Sequence, residues 1–237
     1  MKYILFCLVI LFSLFCQGQN TNKVSILYGY TSRVPVAEMK KIKKETPIQF
    51  KYMVEMKKKM EEIDFILEIN DDHSDFETVK KISVADKKNY YLEAMSGFRY
   101  YVDKNIYIEQ KDLLGQTYLI EESSCYQEWD LVNEKKEILG YTCYKAILKN
   151  APKDAKITAW YAPALPYQFG PTGYHGLPGL ILETIQNEKL VVFAKEINLE
   201  DKDVWVLKPT TGIKTTQEKF NAILGTAKDK MDSYNKN

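Results

Sequence analysis

Apolar and polar side chains alternate along most of this chain in short runs, which is the pattern of half-buried β-strands. Turn-forming residues separate the runs at intervals of about ten residues, a spacing typical of sandwiches and barrels rather than of alternating β-α units. We therefore predict a mainly β fold, a curved antiparallel sheet or partly open β-barrel with a C-terminal helix. The predicted strands are Val24–Tyr30, Ile48–Met56, Ile63–Ile69, Phe98–Val102, Ile106–Glu109, Gln116–Glu121, Tyr126–Val132, Ile138–Leu148, Lys156–Tyr161, Leu180–Ile185 and Lys189–Ile197.

Two segments have a helical pattern instead. Val36 to Lys44 is short and basic, and we expect it to present a solvated face, with binding to a membrane surface as the alternative. Near the C terminus, Thr215 and Glu218 have the spacing of a capping box. The apolar residues beyond them fall on one helical face, which favours packing on the core over binding of a partner helix. These residues are Phe220, Ile223, Leu224, Ala227 and Met231.

The N-terminal residues 1–18 have the pattern of a removable secretory signal. Lys2 precedes an apolar run, Ile4–Phe15, that is too short to span a bilayer. Small residues at Cys16 and Gly18 place the cleavage site near Gly18. Lipid attachment at Cys16 is an alternative, disfavoured because bulky Phe15 precedes it.

The rest of the chain, residues 19–237, is predicted to be a single β-rich domain. We expect it to be exported to the periplasm or the outer membrane, or secreted, without a transmembrane segment. The full chain has 33 basic and 32 acidic residues, so the mature domain is close to neutral. A nucleic-acid-binding protein needs a strongly basic face, and this class is therefore excluded.

Two cysteines remain after cleavage, Cys125 and Cys143, and an isolated pair in an oxidising compartment predicts a disulfide. A hairpin centred on Glu134 would place Cys125 opposite Cys143 and Trp129 opposite Leu139. Neighbours across an antiparallel pair are close enough for a disulfide. The pair has no CxxC spacing, which disfavours a redox role.

Known catalytic and metal-binding patterns do not fit this sequence. The chain has two histidines, His73 and His175, and no nucleophile elbow or zinc motif accompanies them. The acidic run Asn70–Asp75 fails as a calcium loop, because Phe76 stands where an EF-hand needs glycine. Glu121 and Glu122 are adjacent on a strand and point to opposite faces. We therefore assign no catalytic residue, no metal site and no cofactor.

Aromatic residues crowd one junction late in the chain. Side chains with an apolar ring and a polar tip make good ligand walls, and they also make good cores. Packing of the loop on the sheet is the favoured interpretation, and a ligand site is the alternative. The candidate ligand-binding residues are Trp160, Tyr161, Tyr167, Phe169, Tyr174 and His175.

The most distinctive string of the chain follows this junction: Gly176, Leu177, Pro178, Gly179, Leu180 and Ile181. With Trp129, Gly140–Ala146 and Gly170–Pro171 around it, the string resembles the GLPGLI (Porph_ging) family of bacterial envelope proteins. The resemblance implies an exported β-rich protein with an open, curved antiparallel sheet closed on one side by a helix, as in periplasmic lipoprotein carriers. It supplies no catalytic residues.

The string also has a physical interpretation. Gly176 and Gly179 permit backbone angles closed to other residues, and Pro178 makes the turn rigid. We expect Leu177 and Leu180 to plug the open end of the curved sheet.

Three functions are consistent with these features. The first is a non-enzymatic envelope protein that binds an apolar or peptide-like ligand or an outer-membrane protein, and we favour it. The second is a hydrolase that uses His175. The third is a structural accessory of an outer-membrane assembly.

Overall fold

The computed structural model describes residues 23–79, 97–113, 115–123, 127–152, 154–202 and 204–234, with side chains up to residue 226. The expected signal sequence and Cys125 lie outside these ranges.

The described residues form one open sheet of twelve strands, in the order β12-β6-β5-β4-β3-β2-β1-β11-β10-β9-β8-β7. All neighbours are antiparallel except β12 and β6. The predicted mainly β fold is confirmed, in its open form. The strands are β1 (Lys23–Ser32), β2 (Asp64–Asn70), β3 (His73–Thr78), β4 (Phe98–Val102), β5 (Ile106–Leu113), β6 (Gln116–Ser123), β7 (Trp129–Ile138), β8 (Tyr141–Leu148), β9 (Ile157–Ala162), β10 (Leu180–Gln186), β11 (Leu190–Asn198) and β12 (Ile213–Thr215).

Two helices, α1 (Val36–Glu45) and α2 (Pro47–Glu61), connect β1 to β2 and form a helical hairpin. The short helix predicted at Val36–Lys44 is confirmed, whereas the strand predicted at Ile48–Met56 is wrong. Pro47 occupies the first helical position, and the lysines, methionines and glutamates that follow have high helix propensity. The alternation of apolar residues in this segment therefore did not indicate a strand.

The C-terminal helix, α3 (Gln217–Tyr234), is also confirmed. Its cap differs by one residue from the prediction, because the backbone N–H of Lys219 donates to Oγ1 of Thr216, at 3.3 Å, and not to Thr215. Phe220 packs on Tyr118 of β6, with ring centroids 5.4 Å apart, and anchors the helix to one end of the sheet.

The predicted register of the cysteine hairpin is wrong. The β7–β8 turn lies at Leu139 and Gly140, which both have positive φ (51° and 81°), as a tight hairpin turn requires. Cys143 consequently lies opposite Lys136 and not opposite position 125. Cys143 is a buried free thiol, so the structure does not contain the disulfide predicted with Cys125. Burial raises the pKa of this thiol to about 11.

The main core lies on one face of the sheet and is centred on β1, whose Val24, Ile26 and Tyr28 are fully buried. Beside them, the ring of Phe65 stacks on those of Phe76 and Phe98, with centroids 5.5 and 5.4 Å away. We call this side the inner face.

The opposite, outer face is crossed by residues 199–212, the crossover segment, which carries the chain from β11 to β12 at the far edge. The backbone N–H of Asp201 donates to the carbonyl of Lys23 at 3.0 Å. Nη2 of Arg99 donates to the carbonyl of Leu207 at 2.8 Å. The crossover segment thus lies on the outer face of the half of the sheet that runs from β1 to β6, and the cavity forms on the inner face.

Candidate functional site

A cavity of about 750 Å³ opens on the inner face. Residues of β1 to β6 and of β8 to β11 line it together, so the sheet must curve around it. Its walls combine seven aromatic side chains and five aliphatic ones with eleven polar ones. The aromatic residues are Tyr30, Phe65, Phe76, Phe98, Tyr100, Tyr107 and Tyr174, and the polar ones include Glu109, Lys111, Glu122, Gln127, His175 and Thr184.

Residues 163–179, which we call the closing loop, bound one end of the cavity and contribute Thr172, Tyr174 and His175 to its lining. Leu177 and Leu180 are buried. The backbone N–H of Leu180 donates to the carbonyl of Leu165 at 2.9 Å, and that of Ile181 donates to the carbonyl of Phe169 at 3.0 Å. These bonds fold the loop back on its own stem, so that both leucines point into the protein.

Glycines make the close approach of this loop possible. Gly176 and Gly179 have φ of 88° and 154°. A Cβ at Gly179 would overlap the carbonyl group of Ala162 at the end of β9. The hydroxyl of Tyr28 then donates to the carbonyl of Ile181 at 2.6 Å and joins the loop exit to the centre of the core.

A short 3-10 turn, Pro171–Gly173, brings the closing loop to the cavity wall. A Cβ at Gly173 would lie 2.6 Å from the ring of Tyr107, so only glycine fits against this ring. Tyr174 follows the turn directly and is thereby placed in the wall.

Two side chains of the neighbouring segment hold this part of the loop. Oε1 of Gln127 accepts from the backbone N–H of His175 at 2.8 Å. Nε1 of Trp129 donates to the carbonyl of His175 at 2.9 Å, and the Trp129 ring packs edge-on against Tyr174. The position of Tyr174 is therefore fixed from both sides.

The six candidate residues from the sequence do not form one group. Tyr174 and His175 line the cavity, whereas the other four are not among its lining residues. Tyr161 packs beside Leu177 in a separate cluster. Trp160 lies under Nζ of Lys136, 4.4 Å from its ring centroid. The remaining two, Tyr167 and Phe169, pack against the main core.

His175 is held by the backbone. Its Nδ1 lies 3.0 Å from the carbonyl oxygen of Gly173, and no carboxylate pairs with its ring among the described residues. A histidine that acts as a general base usually has a carboxylate partner, which orients its ring and stabilises the positive charge that the ring acquires with the proton. A backbone carbonyl orients the ring without stabilising this charge to the same degree.

The polar centre of the cavity is an ion pair on β5. Nζ of Lys111 lies 2.6 Å from Oε1 of Glu109, and Glu109 is only 6% exposed. The hydroxyl of Tyr100 also donates to Glu109. Burial, and then the charge of Glu109, raises the pKa of Tyr100 well above its usual value and that of Tyr174 to about 12. Both phenols therefore remain protonated and keep an O–H that can donate a hydrogen bond.

Sequence reasoning missed Tyr100, Tyr107, Glu109 and Lys111. The alternation along β5 contained a signal, because residues 107, 109 and 111 share a face while Ile106 and Ile108 occupy the other. The pairing of Tyr100 with Glu109 is set by the β4–β5 register. That register follows the short turn at residues 103–105, between the predicted strands Phe98–Val102 and Ile106–Glu109.

Two other kinds of site are absent from the described ranges. No group of three or more histidine, cysteine or acidic side chains there is arranged to hold a metal ion. No helix within those same ranges is long and apolar enough to cross a membrane.

Comparison with known proteins identifies the segment around the closing loop. Residues 148–183 match the model of a family described as a protein of unknown function (Porph_ging). The match covers these residues alone, which we call the Porph_ging segment. The family predicted from the sequence motif is thereby confirmed for residues 148–183. The Porph_ging segment contains β9, the closing loop and the start of β10, so it covers the closed end of the cavity.

The solved structures extend the likeness to the fold. Two crystal forms of PNGF-II superpose with TM-scores of 0.53 and 0.54 at 15% sequence identity, over 85% of this chain. The matched part is 32% of PNGF-II, so this chain spans about a third of that protein's length. At this identity the likeness concerns the fold alone. No curated protein matches the chain.

Proposed function

We propose that this protein is an exported, non-enzymatic binding protein whose inner-face cavity takes an apolar or peptide-like ligand. The observation that carries the proposal is the cavity itself. Its volume of about 750 Å³ falls among those of small-molecule sites, which are mostly apolar with a few polar groups that orient the ligand.

The aromatic wall suits a ligand with an apolar body. Phe65, Phe76 and Phe98 stack on one another, so their rings are already held in place and little side-chain entropy remains to be lost on binding. An apolar ligand would contact their edges and faces and would release water from the cavity.

The polar centre gives the ligand an orientation. Buried Glu109 and half-buried Lys111 form an ion pair, and each has capacity for a further hydrogen bond. A ligand with an amide or hydroxyl group could bond to this pair while its apolar part lies against the phenylalanines. Peptides and amphiphiles both have this combination.

In the proposed binding mode, the ligand enters the cavity at the end opposite the closing loop. The closing loop blocks one end, while lining residues at the opposite end are in contact with solvent. Leu190 of β11 and Asn221 of α3 both line the cavity and are exposed. The ligand would therefore enter between β11 and α3.

The export of the protein is part of the proposal, supported by the apolar run before the domain. An outer-membrane protein that delivers or accepts the ligand is the partner we envisage. The hydrolase alternative has no further support, because the only hydrogen bond of the His175 ring among the described residues is to a backbone carbonyl.

The test is a fluorescence titration with N-phenyl-1-naphthylamine, a probe that emits in apolar surroundings. We expect saturable binding by the native chain. Val192→Trp would fill the cavity, which Val192 lines, and should weaken probe binding at least tenfold. Leu131→Trp is the matched control, because Leu131 lies on the edge strand β7 and is 61% exposed.

The control should bind the probe like the native chain. Equal affinity of the two tryptophan variants, with melting temperatures showing that both are folded, would reject the cavity as the binding site. If the two variants instead differ as expected, native mass spectrometry of the chain purified from its host envelope would identify the natural ligand.

A further inference from the structure

The helical hairpin contributes almost nothing to the core. Neither α1 nor α2 contains a buried residue. Met56 and Met60, near the end of α2, are the hairpin residues that pack against the core in the described structure. The part of the hairpin far from the sheet is therefore free to serve another purpose.

Apolar side chains are exposed at the tip of the hairpin. Ile48 follows the turn between the two helices and is 86% exposed. Tyr52, one helical turn later and on the same side of α2, is 50% exposed. An isoleucine this exposed gains nothing from folding, and its apolar side chain suits contact with an external surface.

The hairpin that carries these apolar residues has an excess of positive charge. Residues 33–62 contain nine basic and five acidic side chains, whereas the rest of the chain contains 24 and 27. Lys44 lies before the tip turn and Lys51 lies between Ile48 and Tyr52, and both are exposed. Neither lysine pairs with a carboxylate in the described part of the chain, so both charges are available to an anionic partner.

We propose that the hairpin tip, Lys44, Ile48, Lys51 and Tyr52, docks on an anionic lipid surface. The lysines would contact headgroup phosphates, and Ile48 and Tyr52 would enter the interface between headgroups and acyl chains. A nucleic acid would use the lysines but leave the isoleucine without a contact. An anionic lipid surface offers a contact both to the lysines and to the apolar side chains.

The hairpin also lies at the open end of the cavity. β10 starts at the closing loop and ends at Gln186, which pairs with Leu190, and Leu190 pairs with Ser32 at the end of β1. The hairpin begins just beyond Ser32, so it emerges at the end opposite the closing loop. Docking through its tip would turn the cavity entrance toward the membrane.

The experiment is co-sedimentation of the chain without residues 1–18 with two kinds of vesicle, pure phosphatidylcholine and phosphatidylcholine mixed with phosphatidylglycerol. We expect binding to the mixed vesicles alone, weakened by added salt. The double variant Lys44→Glu/Lys51→Glu should reduce partitioning at least tenfold. Ile48→Asp should reduce it as well, because it removes the inserted side chain.

The matched control is Lys202→Glu/Lys214→Glu, which makes the same change of net charge at exposed positions outside the hairpin. It should bind like the native chain, and an equal loss in this control would overturn the proposal by reducing the effect to net charge. Unchanged binding by the hairpin variants would also overturn it. A third contrary result would combine two observations: a short DNA duplex displaces the protein fully from the vesicles, and Ile48→Asp binds the vesicles normally. Together they would indicate a general polyanion site.

The hairpin variants leave the cavity lining intact, so their uptake of the naphthylamine probe should equal that of the native chain. Vesicle binding and probe binding are therefore independent results, and either proposal can fail without the other.

Discussion

The two ends of the cavity are built in opposite ways. The closing loop is held by buried leucines, by backbone hydrogen bonds and by glycines against which no other side chain fits. The helical hairpin at the other end buries none of its residues and is rich in lysine. The comparison shows that the structure of the closed end depends on a backbone conformation that few residues can adopt, whereas the character of the open end depends on which side chains the hairpin exposes. Substitutions should therefore be far more costly in the loop than in the hairpin.

The largest expected effect is that of Gly179→Val. Its side chain would overlap the carbonyl of Ala162, and we expect a loss of at least about 4 kcal/mol in the free energy of unfolding, or no folding. The measurement is urea denaturation. Gly140→Val is the matched control, because Gly140 also has positive φ but a Cβ added there would meet nothing within 4 Å. The control should lose only the strain of the backbone, ~1–3 kcal/mol. Equal losses would mean that contact with β9 is unimportant.

A second pair of substitutions compares side chains at the two ends directly. Leu177→Ala removes a buried side chain from the closing loop and should cost about 2–5 kcal/mol. Ile48→Ala removes an exposed one from the hairpin and should change stability by less than about 0.5 kcal/mol. Both values come from the same denaturation curves. A loss above ~1 kcal/mol for Ile48→Ala would show that the hairpin tip packs on the protein after all.

A third substitution tests whether the stability of the exposed part of α3 depends on the helix propensity of its residues. Gly225 lies within α3, and nothing would lie within 4 Å of a Cβ there. Gly225→Ala should stabilise the protein by about 0.5–1 kcal/mol, because glycine disfavours helix. Thermal melting measures this gain. A destabilised variant would contradict an exposed helical position.

The smallest expected effect is electrostatic and comes from neither end. Burial, and then the carboxylates of Asp75, Glu77 and Asp201, raises the pKa of Glu68 on the outer face from 4.5 to about 7, although Arg99 opposes the shift. Between these two pH values, Glu68 is ionised in the unfolded chain but still largely protonated in the folded one. The native chain should therefore lose stability as pH rises from 4.5 to 7.

Glu68→Gln removes this contribution, so its advantage over the native chain should be greater at about pH 8 than at about pH 5. Because the side chain is half-exposed, we expect at most ~1 kcal/mol. Melting temperatures at the two pH values measure the difference. An advantage that is the same at both would show that Glu68 ionises normally in the folded protein.

Local signals predicted much of the fold. The strand at Phe98–Val102 has the predicted bounds, and the strands predicted at Leu180–Ile185 and Lys189–Ile197 form on either side of a tight turn. Two segments were mispredicted because competing signals were stronger. Pro47 and the helix-forming residues after it outweighed an alternating pattern, and the turn at Leu139–Gly140 formed instead of a hairpin centred on Glu134.

The candidate site was harder to predict than the fold. Tyr174 and His175 belong to a recognisable motif, and both line the cavity. Glu109 and Lys111 lie in an ordinary-looking strand, and only the curvature of the whole sheet brings them opposite Tyr174. Pairings over such distances in sequence depend on the register of many strands, which local patterns do not determine.

The most direct test of ligand binding in the cavity is a crystal structure of the chain purified from its host envelope. We predict electron density for a bound molecule between Tyr100, Tyr107 and Tyr174, with its polar group at Glu109 and Lys111. A cavity occupied by water alone, with the co-purified molecule bound elsewhere on the protein, would contradict the account.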